Sequence, residues 1–480
     1  MAAPSPYTAA VEMGYALLAA CTPYNAWAHF QELQKNQWLS PEDARALRWA
    51  RLQAILRHSR ENIAFYRQLW QAHGVDPRRF DSEKDLVDLP VVTKQLLSEA
   101  QRNNLFLLSR RRDYQFAHTS GTTGQRFQVP FTLAGFQKKY ANHLRQMYAS
   151  GWRLGMKSAT IHYSGHNQFR GAYSGRAEDE EPFARVRETA LSIAHRRRVL
   201  TPYHQPETGD DPQVKAWYEQ LRDYQPYMLE TMDYNLPLLK EYIERNGLPR
   251  LSIPKTFVLG THSEALLARL EEFFSTEIYD RYSPHEIEGV AYACSVRRGM
   301  HIAIDCYHTE FLDEHDRPVA PEETGTIVVT DLDNDLMPLI RYRLGDVGHA
   351  LAEPCSCGRG FPLMGQIDGR VRDLLDLRSG KKVAPARIAD VLQDEPAVHL
   401  FQVVQYGDGA IVAHVVPCGG TLPVAVSERI LVRLTNLLGP AERISVTPAR
   451  HIRLEPNGKC SFVKKADPDT RAALPRRSGG

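Results

Sequence analysis

The stretch His118-Thr119-Ser120-Gly121-Thr122-Thr123-Gly124 follows a short apolar approach and packs hydroxyl side chains around two glycines. Glycines let backbone N–H groups come close to phosphate oxygens, and Ser/Thr hydroxyls add donors without bulk. The run is not a phosphate loop of the GxxxxGK[ST] kind, because no lysine follows at the required spacing. Taken alone it is equally a Ser/Thr/Gly surface turn. What surrounds it decides between the two.

Around the loop the chain alternates short apolar strands with helical segments. Thr160-Ile161-His162-Tyr163 and Thr256-Phe257-Val258-Leu259 read as strands, Asn235–Arg245 and Ala265–Phe274 as helices, and Thr326–Thr330 as another strand. Such alternation predicts α/β layers around a largely buried sheet. Upstream, Ser40-Pro41-Glu42-Asp43 is a helix start, with a Ser cap, Pro in the first turn and an acid at the third position. A second helix is expected near Ile63–His73, and Leu89–Lys94 reads as an extended turn into a third. After about residue 370 the texture changes. Leu400–Val404, a turn at Tyr406–Gly409 and Ile411–Val416 read as a hairpin, Ser427–Leu438 as a helix stopped by Gly439-Pro440, and Arg450–Leu454 as a strand. The expected organisation is a large body over residues 1–370 and a small α+β unit over 371–480.

Composition narrows the class. The 480 residues carry 59 Lys+Arg against 57 Asp+Glu, a net charge of +2, which argues against an electrostatic nucleic-acid binder. At 43% hydrophobic and 24% charged the chain is ordinary globular protein, not a disordered one. No stretch approaches the ~20 apolar residues of a membrane-spanning helix. The apolar patch Met13–Cys21 lacks a basic leader, so the expectation is a cytoplasmic protein without a membrane partner. Seven scattered cysteines disfavour a disulfide framework.

Four further motifs follow the loop in order: Tyr282-Ser283-Pro284-His285-Glu286, Leu339-Ile340-Arg341-Tyr342-Arg343-Leu344-Gly345-Asp346, Gly369-Arg370-Val371-Arg372-Asp373 and Asn457-Gly458-Lys459. This order and spacing resembles the adenylate-forming superfamily of acyl-CoA synthetases, aryl-acid ligases and adenylation domains. The stretch from Ala64-Phe65-Tyr66-Arg67 to Thr93-Lys94 resembles its phenylacetate–CoA ligase branch and that branch's capsule-biosynthesis relatives. The likeness spans roughly residues 40–467.

The resemblance implies a large adenylate-forming domain with a small mobile C-terminal cap, and it implies roles. Thr119, Ser120, Gly121, Thr122, Thr123 and Gly124 would hold the β- and γ-phosphates of ATP. The Thr261-His262-Ser263-Glu264 turn would line the adenine pocket. Tyr282 would stack on adenine, with Asp280, Arg281 and Ser283 beside it. Glu286 would bind Mg²⁺. Asp346 would accept the ribose hydroxyls, with Arg370 adding a donor. Lys459 would bridge the substrate carboxylate and the α-phosphate. Plainer readings stay open. Glu286 also suits a helix-start acid, Asp346 a turn after Gly345, Tyr282 the core, and Asn457-Gly458 an ordinary turn with Lys464 or Lys465 serving instead.

Three positions depart from the family pattern. The superfamily usually has Gly at Ser283 and Ser or Thr at His285, where a hydroxyl touches the α-phosphate; His285 would replace that donor. Gln125-Arg126-Phe127 follows the phosphate loop in place of the usual Lys and Pro, and Arg126 would supply the positive charge. Arg372 stands where the hinge usually has an acid, about which the cap rotates between half-reactions.

Cys294, His301, Cys355 and Cys357, with Gly358 after them, make a Cys₃His set typical of closed structural Zn²⁺ sites, and similar positions occur in zinc-containing phenylacetate–CoA ligase relatives. Buried free thiols are the alternative, and Cys306 is a substitute ligand.

The implied activity is a two-step ligase. A carboxylic acid attacks Mg·ATP to give an acyl-adenylate, which passes its acyl group to a thiol, most often that of coenzyme A, with an aromatic acid favoured. Acceptors such as an amine, a carrier protein or nitrite, and a nucleotide-binding relative without turnover, are the alternatives kept open by His285 and Arg372. Tyr163, His166, Phe169 and Tyr234 are candidates for the acid pocket, and Arg196-Arg197-Arg198 for the phosphates of coenzyme A or a solvated face. A homodimer is compatible with the resemblance.

Overall fold

The structure is a computed structural model and describes residues 5–21, 25–106, 114–118, 127–161, 196–201, 212–260, 262–284, 286–418, 420–452 and 461–466. Five helices come first: α1 (Pro6–Cys21), α2 (Ala26–Asn36), α3 (Pro41–Asn62), α4 (Ala64–Ala72) and α5 (Lys94–Arg102). Ser40 caps α3 as its sequence predicts, its hydroxyl accepting from the Asp43 amide at 3.1 Å, and Thr93 caps α5 through the Leu96 amide at 3.3 Å. Among the described residues no helix is long and apolar enough to cross a membrane.

The antiparallel pair β1 (Tyr114–His118) and β2 (Gln128–Thr132) flanks residues 119–126, and Thr132 caps the helix that follows, α6 (Leu133–Ala149). Then come β3 (Ser158–Ile161), β4 (Arg197–Leu200), α7 (Pro212–Tyr224), β5 (Met228–Met232), α8 (Asn235–Arg245), β6 (Lys255–Leu259), α9 (Glu264–Phe274), β7 (Glu277–Tyr282), β8 (Ala291–Ala293) and β9 (Met300–Ile302). With β13 (Leu363–Met364) these strands form one sheet in the order β13-β9-β8-β7-β6-β5-β3-β4. Pairing is parallel from β4 to β7 and antiparallel beyond.

That sheet separates two cores. Parallel register keeps paired residues on one face, and the period of two sends their neighbours to the other. Met228, Phe257 and Tyr279 pack with Tyr140 and Leu144 of α6 and with the N-terminal helices. Ala159, Ile161, Leu229, Val258 and Ile278 pack with Trp217, Leu239 and Leu270 of α7, α8 and α9. A second sheet, β10 (Tyr307–Leu312), β11 (Gly325–Asp331), β12 (Tyr342–Gly348) and β14 (Gly369–Arg370), is antiparallel.

Beyond the short pair β15 (Leu375–Asp376) and β16 (Lys382–Val383) lie α10 (Pro385–Gln393), β17 (Val398–Gln405), β18 (Ala410–Pro417), α11 (Val424–Leu438), β19 (Arg443–Pro448) and β20 (Val463–Lys465). They enclose a core of their own, in which Ile388, Phe401, Ile411 and Ile430 meet. The hairpin and helix expected there are present. The last strand is not where the apolar pattern placed it. It runs over Arg443–Pro448, while Arg450, His451 and Ile452 are not in a strand and 453–454 lie outside the described residues. β19 is an edge strand buried only partly at Ile444 and Val446, which explains its weak signal and its tolerance of Pro448. The unit touches the body through polar contacts. His399 Nδ1 lies 2.6 Å from Glu241 Oε2 on α8. Gln393 accepts from the Ser263 amide at 2.5 Å through its side chain and from Arg269 through its carbonyl.

One ion pair ties the body together. Arg145 of α6 and Asp305 are both fully buried, and Arg145 Nη1 meets the two carboxylate oxygens at 2.9 and 2.8 Å. Asp305→Ala leaves a buried guanidinium without its carboxylate, so the unfolding free energy should fall by about 3–5 kcal/mol, read from the urea midpoint. A loss under about 1 kcal/mol would show that the pair does not hold α6 in place.

Candidate active site

Three sequence motifs meet at one carboxylate. Asp346 on β12 and Arg370 on β14 are direct cross-strand partners, with Arg370 Nε 3.7 Å from Asp346 Oδ1. Tyr282, at the end of β7, donates its hydroxyl to Asp346 Oδ2 at 2.8 Å. Glu286, four residues on, accepts from the Tyr342 hydroxyl at 3.3 Å. Burial pushes the Glu286 carboxyl up from its ordinary range, and the nearby Asp346 charge adds to this; Lys94 and the Tyr342 hydroxyl act the other way. Burial likewise raises the Tyr282 phenol, reinforced by Asp346 and Glu286. Two half-buried carboxylates near one another suit a cation, or a ligand's hydroxyl groups.

Other residues singled out in the sequence lie around this centre. Asp280 is one strand position pair before Tyr282, its Oδ2 3.7 Å from His262 Nε2; burial raises its carboxyl, and His262 and the Arg281 amide lower it. Ser263 caps α9 through the Leu266 amide at 3.1 Å, and Glu264 is exposed in the first turn of that helix. Ser283 accepts from the Gly289 amide at 3.1 Å and so closes the turn that carries Glu286. Arg281 departs from this group. Strand alternation turns its side chain toward α6, where Nη1 lies 2.9 Å from His143 Nδ1. Arg372 is exposed at the boundary of the small unit, 3.4 Å from Asp373.

Arg196-Arg197-Arg198 does not act as one patch. Arg196 and Arg198 are exposed, whereas Arg197 turns inward to Thr160 Oγ1 at 2.9 Å and Glu230 at 3.8 Å. Tyr234 is buried at the start of α8. Lys465 pairs with Asp376 at 2.5 Å within the small unit. Thr119, Ser120, Gly121, Thr122, Thr123, Gly124, Gln125, Arg126, Tyr163, His166, Phe169, Thr261, His285 and Lys459 lie outside the described residues. Lys94 and Tyr342 were not singled out. Tyr342 stands inside the quoted Leu339–Asp346 motif, and Lys94 opens a capped helix, so position within a motif was the available signal.

No protein-family model matches the chain. Over 381 residues, 78% of the chain and 80% of the relative, it is 28% identical to the phenylacetate–coenzyme A ligase of Thermus thermophilus. Over 369 residues, 75% of the chain and 78% of the relative, it is 28% identical to that of Escherichia coli K12. Along three quarters of its length the chain resembles phenylacetate–coenzyme A ligases. In three dimensions it is similar to 2-hydroxyisobutyryl-CoA ligase crystallised in the postadenylation state with R3-HIB-AMP. The TM-score is 0.74 at 19% identity, covering 91% of this chain and 93% of that one. The adenylate-forming fold, a large layered domain followed by a small C-terminal one, is therefore that of this ligase-like chain.

Away from Asp346, the ligase-like chain gathers Cys294, His301, Cys355 and Cys357, whose ligand atoms all lie within 4.8 Å of one another. Cys294 Sγ and Cys355 Sγ are 3.6 Å apart, and Cys357 Sγ is 3.3 Å from His301 Nε2. A tetrahedral ion with metal–sulfur bonds of ~2.3 Å separates its sulfurs by about 3.8 Å, so the set fits one ion. Backbone amides of Val296 and Arg359 point at Cys294 and Cys357 sulfurs at 3.4 and 3.5 Å. His301 Nδ1 faces the Phe361 carbonyl at 3.2 Å, which leaves Nε2 for the ion, and burial lowers this imidazole to about 4. Cys306 is not in the set; it lies in the core 3.8 Å from Arg145 Nη2. Freshly purified protein is expected to carry about one divalent ion per chain, and Cys355→Ser to lose it with a lower melting temperature, by elemental analysis and calorimetry. Well under one ion in the unmodified protein would discard the site.

Proposed function

We propose that the chain is an ATP-dependent, AMP-forming ligase that joins a carboxylic acid, by preference an aromatic one, to coenzyme A. The observation that carries the reading is the convergence of Tyr282, Asp346 and Arg370 from three separate motifs on one carboxylate, with Glu286 beside it. The likeness to phenylacetate–coenzyme A ligases over three quarters of the chain supports the choice of acid and thiol.

In the first half-reaction an oxygen of the acid attacks the α-phosphorus of ATP, and the bond to the bridging oxygen breaks to release pyrophosphate. In the second, the coenzyme A thiol attacks the acyl carbon, loses its proton, and AMP departs. Tyr282 offers a ring face to adenine. Asp346 accepts the ribose hydroxyls, and it is already oriented for this by the Tyr282 hydroxyl and by Arg370. Glu286 would hold magnesium, which when bound neutralises phosphate charge as pyrophosphate leaves. We assign the phosphates to Thr119–Gly124 with Arg126, the α-phosphate contact to His285, and the bridging charge to Lys459. Cys294, His301, Cys355 and Cys357 would hold a structural zinc, because four protein ligands close the coordination shell and leave no open position for chemistry. Cytoplasmic ATP and reducing conditions suit both the reaction and those thiols.

ATP–pyrophosphate exchange across a panel of acids tests the reading, with exchange expected for at least one aromatic acid. Lys459→Ala should lower that exchange by about 10²-fold or more while ATP still binds, since its charge acts on the transition state. Unchanged exchange would remove Lys459 from the site. The raised Glu286 carboxyl takes up a proton at higher pH than an exposed glutamate does. Magnesium dependence should therefore weaken on acidification above the pH at which an exposed glutamate protonates, about 4.3; a profile that stays flat down to that pH would count against the Glu286 role.

A further inference from the structure

The small unit does not close flush against the body. Between them lies a cavity of about 430 Å³, within the ~300–1,000 Å³ typical of small-molecule pockets. Leu266 and Leu270 of α9 and Val398, Leu400, Phe401 and Phe462 of the small unit give it apolar walls from both sides. Phe401 and Phe462 stack on one another with ring centroids 4.9 Å apart. None of Tyr282, Glu286, Asp346 and Arg370 lines the cavity, so it is not the nucleotide site. Tyr234, which the sequence offered for the acid pocket, does line it.

The charges in the wall are not evenly matched. Along α8 the residues Lys240, Glu241, Glu244 and Arg245 line the cavity at helical spacing. Both of those acids are engaged: Glu241 Oε2 lies 2.6 Å from His399 Nδ1, and Glu244 Oε2 lies 2.6 Å from Lys240 Nζ. Asp233, the third acid in the wall, is buried and accepts from the Tyr234 amide at 2.9 Å. The two arginines keep donors to spare. Arg245 lies near Glu241 but makes no hydrogen bond or ion pair among the described residues. Arg269 of α9 donates through Nη2 to the Gln393 carbonyl, and its other N–H groups make no hydrogen bond among the described residues. Spare guanidinium donors above apolar walls suit an amphiphile with an anionic head, and the planar fork matches a carboxylate. Glu241 and Glu244 stand in the same wall, which favours a single negative charge over the double charge of a phosphate.

We infer that this cavity binds a free carboxylic acid with an apolar chain or ring, held by Arg245 and Arg269, at a site separate from that of the reacting acid. The inference goes beyond the ligase reading and does not depend on it. An occupant touches α8 and α9 on one side and β17 on the other. Binding and the seating of the small unit are therefore linked, and an acid bound here favours the arrangement of the two units seen in the structure. Such an acid acts as an effector of the small unit and is not itself converted.

Cys418 is exposed and lines the same cavity, so its thiol reports occupancy. The test follows iodoacetamide labelling of Cys418 in the full chain by peptide mass spectrometry. Hexanoate, octanoate, decanoate and phenylacetate are added, each beside its matched alcohol and amine. At least one acid should slow the labelling about tenfold at saturation, and its alcohol and amine should not. Arg245→Met and Arg269→Met should each weaken the affinity for that acid by about tenfold or more, with melting curves as the folding control. The inference is overturned if no acid slows Cys418 labelling, if a matched alcohol protects as well, or if either folded arginine variant keeps the wild-type affinity. A raised KM for the acid in pyrophosphate exchange by Arg245→Met would make this the pocket of the reacting acid and overturn it too. Labelling is read without turnover, so failure of the ligase reading leaves the labelling outcomes in force.

Discussion

The pair between Arg145 and Asp305 locates the rest of the body. Both side chains are fully buried, and a buried ion pair is retained only where geometry and further hydrogen bonds offset desolvation. Here they do. Arg145 Nη2 donates to Asn142 Oδ1 at 2.7 Å, its guanidinium lies 5.5 and 5.4 Å from the Tyr292 and Phe361 rings, and Asn36 of α2 donates to Asp305 at 3.2 Å. Arg51 of α3 donates to the Asp305 backbone carbonyl at 2.8 Å. One aspartate therefore positions α2, α3 and α6 against the sheet, and His143, Asn142 and Gln146 inherit their places from it.

The Cys₃His cluster lies on the same edge. Tyr292 and Phe361, which frame Arg145, also touch His301, the first by ring contact at 6.0 Å and the second through its carbonyl. β8, β9 and β13 are short, and short strands hold little by themselves. An ion held by these residues would join the segment after β8 to the turn before β13, and so would stiffen the flank of β7 from which Tyr282 projects. The small C-terminal unit is attached differently. Its core does not merge with that of the body, and Gln393 and the His399–Glu241 pair make polar contacts across the gap.

Much of this was legible in the sequence, and the exceptions share a cause. The capped helix at Ser40, the helix after the Leu89–Lys94 turn, the β17–β18 hairpin and the motifs containing Asp346 and Arg370 carry local signals, and local signals are readable. The Arg145–Asp305 pair joins residues far apart in the chain, and nothing near either one announces the other. β19 was misplaced because an edge strand buries only alternate residues shallowly, and Ile452 further on looked more apolar. Glu230 and Arg281 did leave a signal, since each interrupts a strand that is otherwise buried on both faces. It was masked by the Tyr282 motif beside it and by the apparent solvation of the arginine run at 196–198.

The alternation along β7 has an evolutionary corollary. Adjacent residues there face different surroundings, Arg281 toward α6 and Tyr282 toward Asp346. A point substitution at 281 can remodel the side facing α6 while the side facing Asp346 stays intact. An insertion or deletion of one residue would exchange the two sides at a stroke. Divergence among such chains should accordingly accumulate as replacements within this strand, with length changes confined to the loops around it.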